Sequence, residues 1–324
     1  MIDNLNIFRL IYLFVVVCMI CSSSSWGQGG YWGAFLELPP SASAAAFSNA
    51  NVTFDPEPSA IMSNPANIYS CYSFSTQSSM ENFPLDIKRY SFSMVKVFGN
   101  MRLATGFLSH IVYDIPKTSS DGEIIDYLNY GYYASYLGLA YGRSNGCWLC
   151  SDGFSTWLWQ FSVGLSAKLL FQSLNADTLL GGFGFDIGLS GRYKYFRYGL
   201  LTRNVFGLIV DESQIYDIPK AFLFGLGLER CETDWGEISI EINQNRKFVL
   251  HAGGQLILRP FSGIRLGISA PLKSNFYDEL KFSSGFVIFY KFYMPLEFSY
   301  SIQYLFSINN ISQSVSISTG TFSP

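Results

Sequence analysis

The sequence predicts an all-β protein: a 14-stranded antiparallel transmembrane β-barrel with a short, partly helical N-terminal lumenal segment. Three observations predict it. The first is composition: of 324 residues, 49% are hydrophobic and 17% aromatic, while 14% are charged, well under the ~25% usual for soluble domains. The second is that, beyond the first ~25 residues, no run reaches the ~18 to 20 apolar residues of a spanning helix. The third is a period of two. From Phe161 to Phe171 the alternate positions Phe161, Val163, Leu165, Ala167, Leu169 and Phe171 are apolar, with Ser162, Gly164, Ser166 and Lys168 between them. In lipid every backbone N–H and C=O must be bonded within the protein. A chain that enters a membrane without long apolar helices must therefore close a sheet on itself.

The net charge is −3, from 21 Lys+Arg against 24 Asp+Glu, and no basic run occurs. Nucleic acid is excluded as a partner class, because neutralising phosphates takes clustered Lys and Arg.

Taken in order, residues 1–27 read as a secretory signal peptide. Arg9 is its one basic residue, Leu10 to Ile20 form its apolar core, and Ser25 and Gly27 are the small residues before a cleavage point at Gln28. Its removal leaves Cys71, Cys147, Cys150 and Cys231. Cys147 and Cys150 form a CxxC with no second pair at metal spacing and no thioredoxin-like setting, so they read as a small local disulfide in an oxidising compartment.

Residues 28–70 do not alternate and are assigned to a plug. Ser41 to Ala46 is small and Ala-rich, Asp55 to Ala60 reads as a turn into a short helix, and Asn64-Pro65-Ala66-Asn67 ends that helix. A 14-stranded barrel is too wide for its own side chains to fill, so the segment is expected in the lumen.

Residues 71–324 supply the strands, expected at 71–79, 89–98, 101–113, 130–142, 156–171, 181–193, 196–204, 221–231, 235–243, 247–258, 263–270, 280–290, 293–304 and 311–322. A soluble sandwich also alternates, with its apolar face inward. Here the polar face is mostly Ser, Gly, Thr and Gln. Aromatics recur near strand ends, as at Tyr193, Tyr195, Phe196 and Tyr198, like the girdles of membrane barrels. Connections after strands two, six, eight, ten and twelve are short and those after strands one, three, five, seven and eleven long, notably 114–129 and 205–220. Short turns belong to the periplasm, which places both termini there. The stretch 143–155, after the fourth strand, departs from the rule.

Charges on the polar faces of apolar strands, Lys168, Glu241, Arg265 and Glu297, are expected to face the lumen, since each would cost a few kcal/mol in lipid. His110 and His251 are the available neutral-pH acid–base groups. Neither neighbours a nucleophile motif and GxSxG is absent, so no enzyme, metal or cofactor site is expected. Gly182-Phe183-Gly184 and Gly225-Leu226-Gly227 read as small positions on strands, suited to bends or to close approach of the plug.

A set of motifs runs in order along the chain: Phe35 to Ala46, Asp55, Ser59-Ala60-Ile61, Asn64-Pro65-Ala66, Phe185-Asp186-Ile187-Gly188-Leu189, Arg203-Asn204-Val205-Phe206-Gly207 and Gly263 to Ser269. In this series the chain resembles the PorV/PorQ family, within the wider class of FadL-like outer-membrane barrels. It departs at Ser48-Asn49, where that family usually has Gly-Gly, and at Ser323-Pro324, which follow the aromatic Phe322. The resemblance marks Asp55, Asn64, Pro65, Ala66, Asp186 and Asn204 as signature positions, and implies outer-membrane lipid as surroundings. It also implies a role in type IX protein secretion, with translocon components or secreted cargo as partners. The FadL-like class implies the alternative, passage of hydrophobic small molecules through a partly plugged lumen.

Overall fold

The computed structural model describes residues 34–53, 56–71, 74–145, 159–174, 177–210, 215–218, 220–229, 234–243, 248–258, 262–272, 280–291, 295–305 and 310–319. The expected signal peptide, Asp55 and the Cys147–Cys150 pair lie outside these residues.

The described chain closes a 14-stranded antiparallel barrel. Its wall strands are β1 (Phe74–Phe83), β2 (Ile87–Phe98), β3 (Met101–Thr118), β4 (Ile124–Asn145), β5 (Trp159–Leu174), β6 (Asp177–Tyr193) and β7 (Phe196–Val210). There follow β8 (Ala221–Glu229), β9 (Trp235–Asn243), β10 (Phe248–Leu258), β11 (Ser262–Pro271), β12 (Lys281–Lys291), β13 (Pro295–Leu305) and β14 (Asn310–Thr319). Each strand pairs with its sequence neighbours, and β1 closes the ring on β14 from Thr76 opposite Thr319 to Asn82 opposite Gln313. A three-residue strand, Ile215–Asp217, pairs with the end of β7 outside this ring.

The alternation is inside out relative to a soluble protein. On β8, Phe222, Phe224, Leu226 and Leu228 are all exposed on the outer surface, while Ala221, Leu223 and Glu229 are buried inside. On β9, Ile238 is 54% exposed and its neighbour Ser239 1%. Outward aromatics gather near the end where the barrel strands begin and finish: Phe98, Tyr141, Trp159, Tyr193, Tyr195, Phe196 and Tyr290 are all exposed. An outer face this apolar requires lipid around it.

The wall is lopsided. Strands β8 to β14 have nine to eleven residues, the ~9–11 that a tilted strand needs to cross a bilayer. Strands β3 to β7 have 15 to 22. Their surplus stands at the end away from Phe74 and Thr319, because β7 beyond Arg203 has no partner on β8. This corrects the expected loops. The stretch 114–129 is mostly strand, turning at 119–123, and much of 205–220 continues β7. The alternation that marks a strand fails there for a local reason: bulges lie between Val112 and Ile115 and between Lys117 and Thr118, and a bulge shifts the phase of every later side chain. At the β6–β7 irregularity the sequence Arg203-Asn204-Val205-Phe206 points two residues in and then two out.

Leu226 lies mid-strand on β8 and is 56% exposed. Leu226→Arg is expected to lower the stability of the barrel in vesicles by about 2–4 kcal/mol, measured by denaturant titration of the reconstituted protein.

Candidate functional site: a plugged lumen with an apolar upper wall

Residues 34–71 lie across the lumen. Ser41 caps a short helix, α1 (Ala42–Ala46), its hydroxyl accepting from the Ala44 N–H at 3.2 Å. Two 3-10 turns follow, Pro58–Met62 and Pro65–Ser70. Asn64-Pro65, expected to end a helix, also starts the next turn, with the Asn64 side chain accepting from the Ala66 N–H at 3.1 Å and proline in the first position. That pairing suits both residues, since Asn caps a free N–H and proline has none to satisfy.

A non-strand segment in a barrel has backbone groups that no ladder satisfies, and here wall side chains reach in to satisfy them. The Glu237 carboxylate accepts from the N–H groups of Val52 (2.7 Å) and Thr53 (3.0 Å) and from the Thr53 hydroxyl (2.6 Å). Gln303 donates to the Ala45 carbonyl at 2.7 Å, Ser283 to that of Ala46 at 2.8 Å, and Arg89 to those of Pro39 (2.7 Å) and Phe35 (3.2 Å). From the plug, Asn64 donates to Leu189 on β6 at 3.2 Å. The close approach is made possible by wall glycines: a β-carbon at Gly164 would collide with the Pro65 backbone, one at Gly188 with Asn64, one at Gly199 with Val52 and one at Gly267 with Phe47. Gly225 meets Thr53 in the same way, at 3.0 Å, whereas Gly182 faces the wall's own Leu208 carbonyl.

Ser48 and Asn49 sit at φ 51° and 65°, left-handed values that favour glycine. Each is held by its own side chain: the Ser48 hydroxyl lies 2.7 Å from that of Ser283, and Asn49 donates to the Glu37 carbonyl at 2.9 Å. The Ser48 carbonyl also lies 2.8 Å from His251 Nδ1.

The charged residues expected in the lumen, Lys168, Glu241, Arg265 and Glu297, are all buried within it, in three groups. Lys168 Nζ lies 2.7 and 2.8 Å from the Asp186 carboxylate, which also accepts from the Asn204 N–H at 2.7 Å. Asp186 and Asn204 thus meet at the β6–β7 bulge, where the carboxylate holds Asn204 at φ 54°. These bonds tie Asp186 to wall residues rather than to the plug. Arg265 donates to Gln255, Ser299 and Glu297, each at 2.7 Å, and lies 3.6 Å from Glu57 of the plug. Glu241 lies between His251 (3.4 Å) and Arg203 (3.9 Å). Among the described residues no group of His, Cys, Asp and Glu is placed to hold a metal ion.

Glu237 and Glu57 were not singled out in the sequence. The first was within reach: it shares the inward face of Trp235-Gly236-Glu237-Ile238-Ser239-Ile240-Glu241 with Glu241. Glu57 lies in the non-alternating segment, where no periodicity says which way a side chain points.

On the tall side, the lumen wall changes character. Leu108, Tyr136, Leu170, Leu180, Ile209 and Ile218 form a buried apolar cluster with Phe35 and Leu36 of the plug. The Phe35 ring stacks on Tyr132 with centroids 4.9 Å apart. Beside it is a cavity of about 20 Å³ lined by Phe35, Tyr132, Leu170, Phe171, Gln172, Leu180 and Ile209. That is room for one water. Phe171, which also lines it, is itself on the outer face, 46% exposed, next to the β5–β6 bulge at Gln172.

Fold and lumen together define a closed 14-stranded antiparallel barrel with a plugged lumen, a fold that matches FadL-like outer-membrane barrels. Among solved structures, the CymD monoaromatic hydrocarbon channel superposes with a TM-score of 0.58 at 11% identity, covering 88% of this chain and 98% of that one. The Pseudomonas putida toluene transporter TodX gives 0.57 at 10% identity, covering 86% and 98%. A Pseudomonas aeruginosa FadL homologue gives 0.53 at 8% identity, covering 87% and 98%. At such identities the likeness is one of fold. No protein-family profile and no curated sequence matches the chain.

Two substitutions test this architecture. Asp186→Ala strands the buried Lys168 charge and is expected to cost about 3–5 kcal/mol, most of it recovered in Lys168→Met/Asp186→Leu, by denaturant titration. Gly164→Val is expected to expel the plug while the barrel stays folded, seen as protease cleavage within 34–71 and raised conductance in planar bilayers.

Proposed function

We propose that this chain is an outer-membrane transporter that passes small hydrophobic molecules through its plugged lumen. The observation that carries the reading is the apolar cluster on the inner face of a barrel whose lumen is otherwise lined by serine, glycine and paired charges. A water-filled pore gains nothing from such a surface. A carrier of apolar solutes needs one, because burial contributes about 25 cal/mol per Å² of apolar area. The likeness in fold to a monoaromatic hydrocarbon channel and to toluene transporters supports the same class of ligand. In this reading residues 1–27 export the chain, both termini face the periplasm, and the tall rim of β3 to β7 stands outside the cell.

At 20 Å³ the cavity is far below the ~150 Å³ that holds a benzene, so the ligand site is the place Phe35 now fills. Its benzyl side chain has the size and chemistry of the solute it would yield to.

The type IX secretion role rests on the motif series from Phe35 to Ser269 that resembles PorV/PorQ. Purification from native membranes separates the two: secretion subunits in stoichiometric amount support that role, and a bound apolar molecule without a protein partner supports transport.

Leu180→Asp puts a carboxylate into the apolar cluster and is expected to abolish toluene uptake by cells that depend on this barrel, with surface abundance unchanged. Phe35→Ala, which vacates the site, is expected to raise uptake. Equal uptake in wild type and both variants would remove the proposal.

A further inference from the structure

We propose that Glu57 is a proton-operated latch for the plug: protonated, it seats the segment in the lumen; ionised, it loosens it. The inference stands on a three-body arrangement. Glu57 Oε1 lies 3.6 Å from Arg265 Nη1, and Arg265 Nη2 lies 2.7 Å from Glu297 Oε1. Two carboxylates thus share one guanidinium, and all three side chains are buried, with Glu57 2% exposed. The guanidinium is already committed to Glu297, with further bonds to Gln255 and Ser299. Glu297 has the shorter contact, so it holds the cation.

The hydrogen bonds that reach the Glu57 carboxylate from α1, its cap and β1 come from neutral groups. Helix α1 and its cap present Ser41, whose hydroxyl donates to Oε2 at 3.4 Å, and Ser43. Strand β1 presents Gln77, whose amide donates to the same oxygen. Among the described residues the charged groups facing Glu57 are therefore Arg265 from β11 and Glu297 from β13. With both carboxylates ionised the cluster carries a net charge of −1 in a buried site. With Glu57 protonated it is neutral, and its carboxyl can still hydrogen-bond to its neighbours. In agreement, burial first and the Glu297 charge second push Glu57 up from 4.5 to about 7.

The position makes this a latch rather than a local detail. Glu57 stands immediately before the 3-10 turn Pro58–Met62, and its carboxylate accepts from Ser41 at the start of α1 and from Gln77 of the wall. Moving it moves both halves of the plug.

The sign follows from linkage. The seated carboxyl titrates above the released one, so seating is strongest below about pH 4.5, where both are protonated. It weakens as pH rises between about 4.5 and 7, because release then gives up a proton, and it levels off above 7. One proton corresponds to about a tenfold change in the seating equilibrium per pH unit within that window.

The test is hydrogen exchange of the full chain in lipid nanodiscs at pH 5, 6, 7 and 8, read on peptides covering 41–63 and corrected for intrinsic exchange. Protection is expected to fall about tenfold per unit between pH 5 and 7. Glu57→Gln is expected to remain at the pH 5 level throughout. Glu297→Gln leaves Arg265 to Glu57 alone and is expected to reduce the slope, and it decides the matter if the first variant does not fold. A flat wild-type profile, or a wild-type slope retained in the variants, overturns the latch.

Discussion

The constraint on which the rest depends is that no backbone N–H or C=O can be left unbonded in hydrocarbon. It dictates a closed ladder, and closure dictates the inversion of polarity. Phe224 and Leu226 turn to lipid because the ring has no other apolar medium to offer them, and Ser239 and Glu237 turn inward because the lipid would not tolerate them. Fourteen strands make a lumen too wide to be filled by wall side chains, so closure also creates a space that must be occupied. The plug occupies it, and thereby brings the same constraint inside: its own backbone needs partners. Glu237, Gln303, Ser283 and Arg89 are those partners. The wall's glycines and the wall's carboxylates are two answers to one demand, since glycine lets the plug backbone approach and the side chains then bind it.

Much of this was legible in the sequence. Period-two alternation located all fourteen wall strands, and the phase of that alternation turned Lys168, Glu241, Arg265 and Glu297 to one side. Legibility ended where the period breaks. Bulges between Val112 and Ile115 and at Phe185/Ile187 put consecutive residues on the same face, so strand continuing past them looked like loop. The contacts of the lumen were hidden for a different reason. Which plug group meets which wall residue is set by pairings far apart in the chain, such as Gln303 with Ala45 and His251 with Ser48, and no local pattern encodes them. Asp186 shows the limit in a single residue: its strand and its face were readable, its partners Lys168 and Asn204 were not.

The two ends and two sides of the barrel are not equivalent, and the difference lies in the ladder. The β8–β14 half stops at membrane height, while β3 to β7 carry on. Apolar lumen residues Leu170, Leu180 and Ile209 all belong to the taller half, so the inner wall is more apolar on that side of the barrel. Outer-facing Phe171 beside inner-facing Leu170 and Gln172 brings that surface within one wall thickness of the lipid.

How firmly the plug is held follows from what holds it. A covalently continuous core would open only by unfolding. The plug is instead fixed by dispersed side-chain-to-backbone bonds, each contributing a net ~0.5–1.5 kcal/mol, together with apolar contact through Phe35 and Ile61. None of these bonds belongs to the wall's own ladder. Every strand keeps its ladder partners independently of these bonds, so closure of the ring does not depend on them. The seating of the plug and the closure of the wall thus rest on two separate sets of hydrogen bonds.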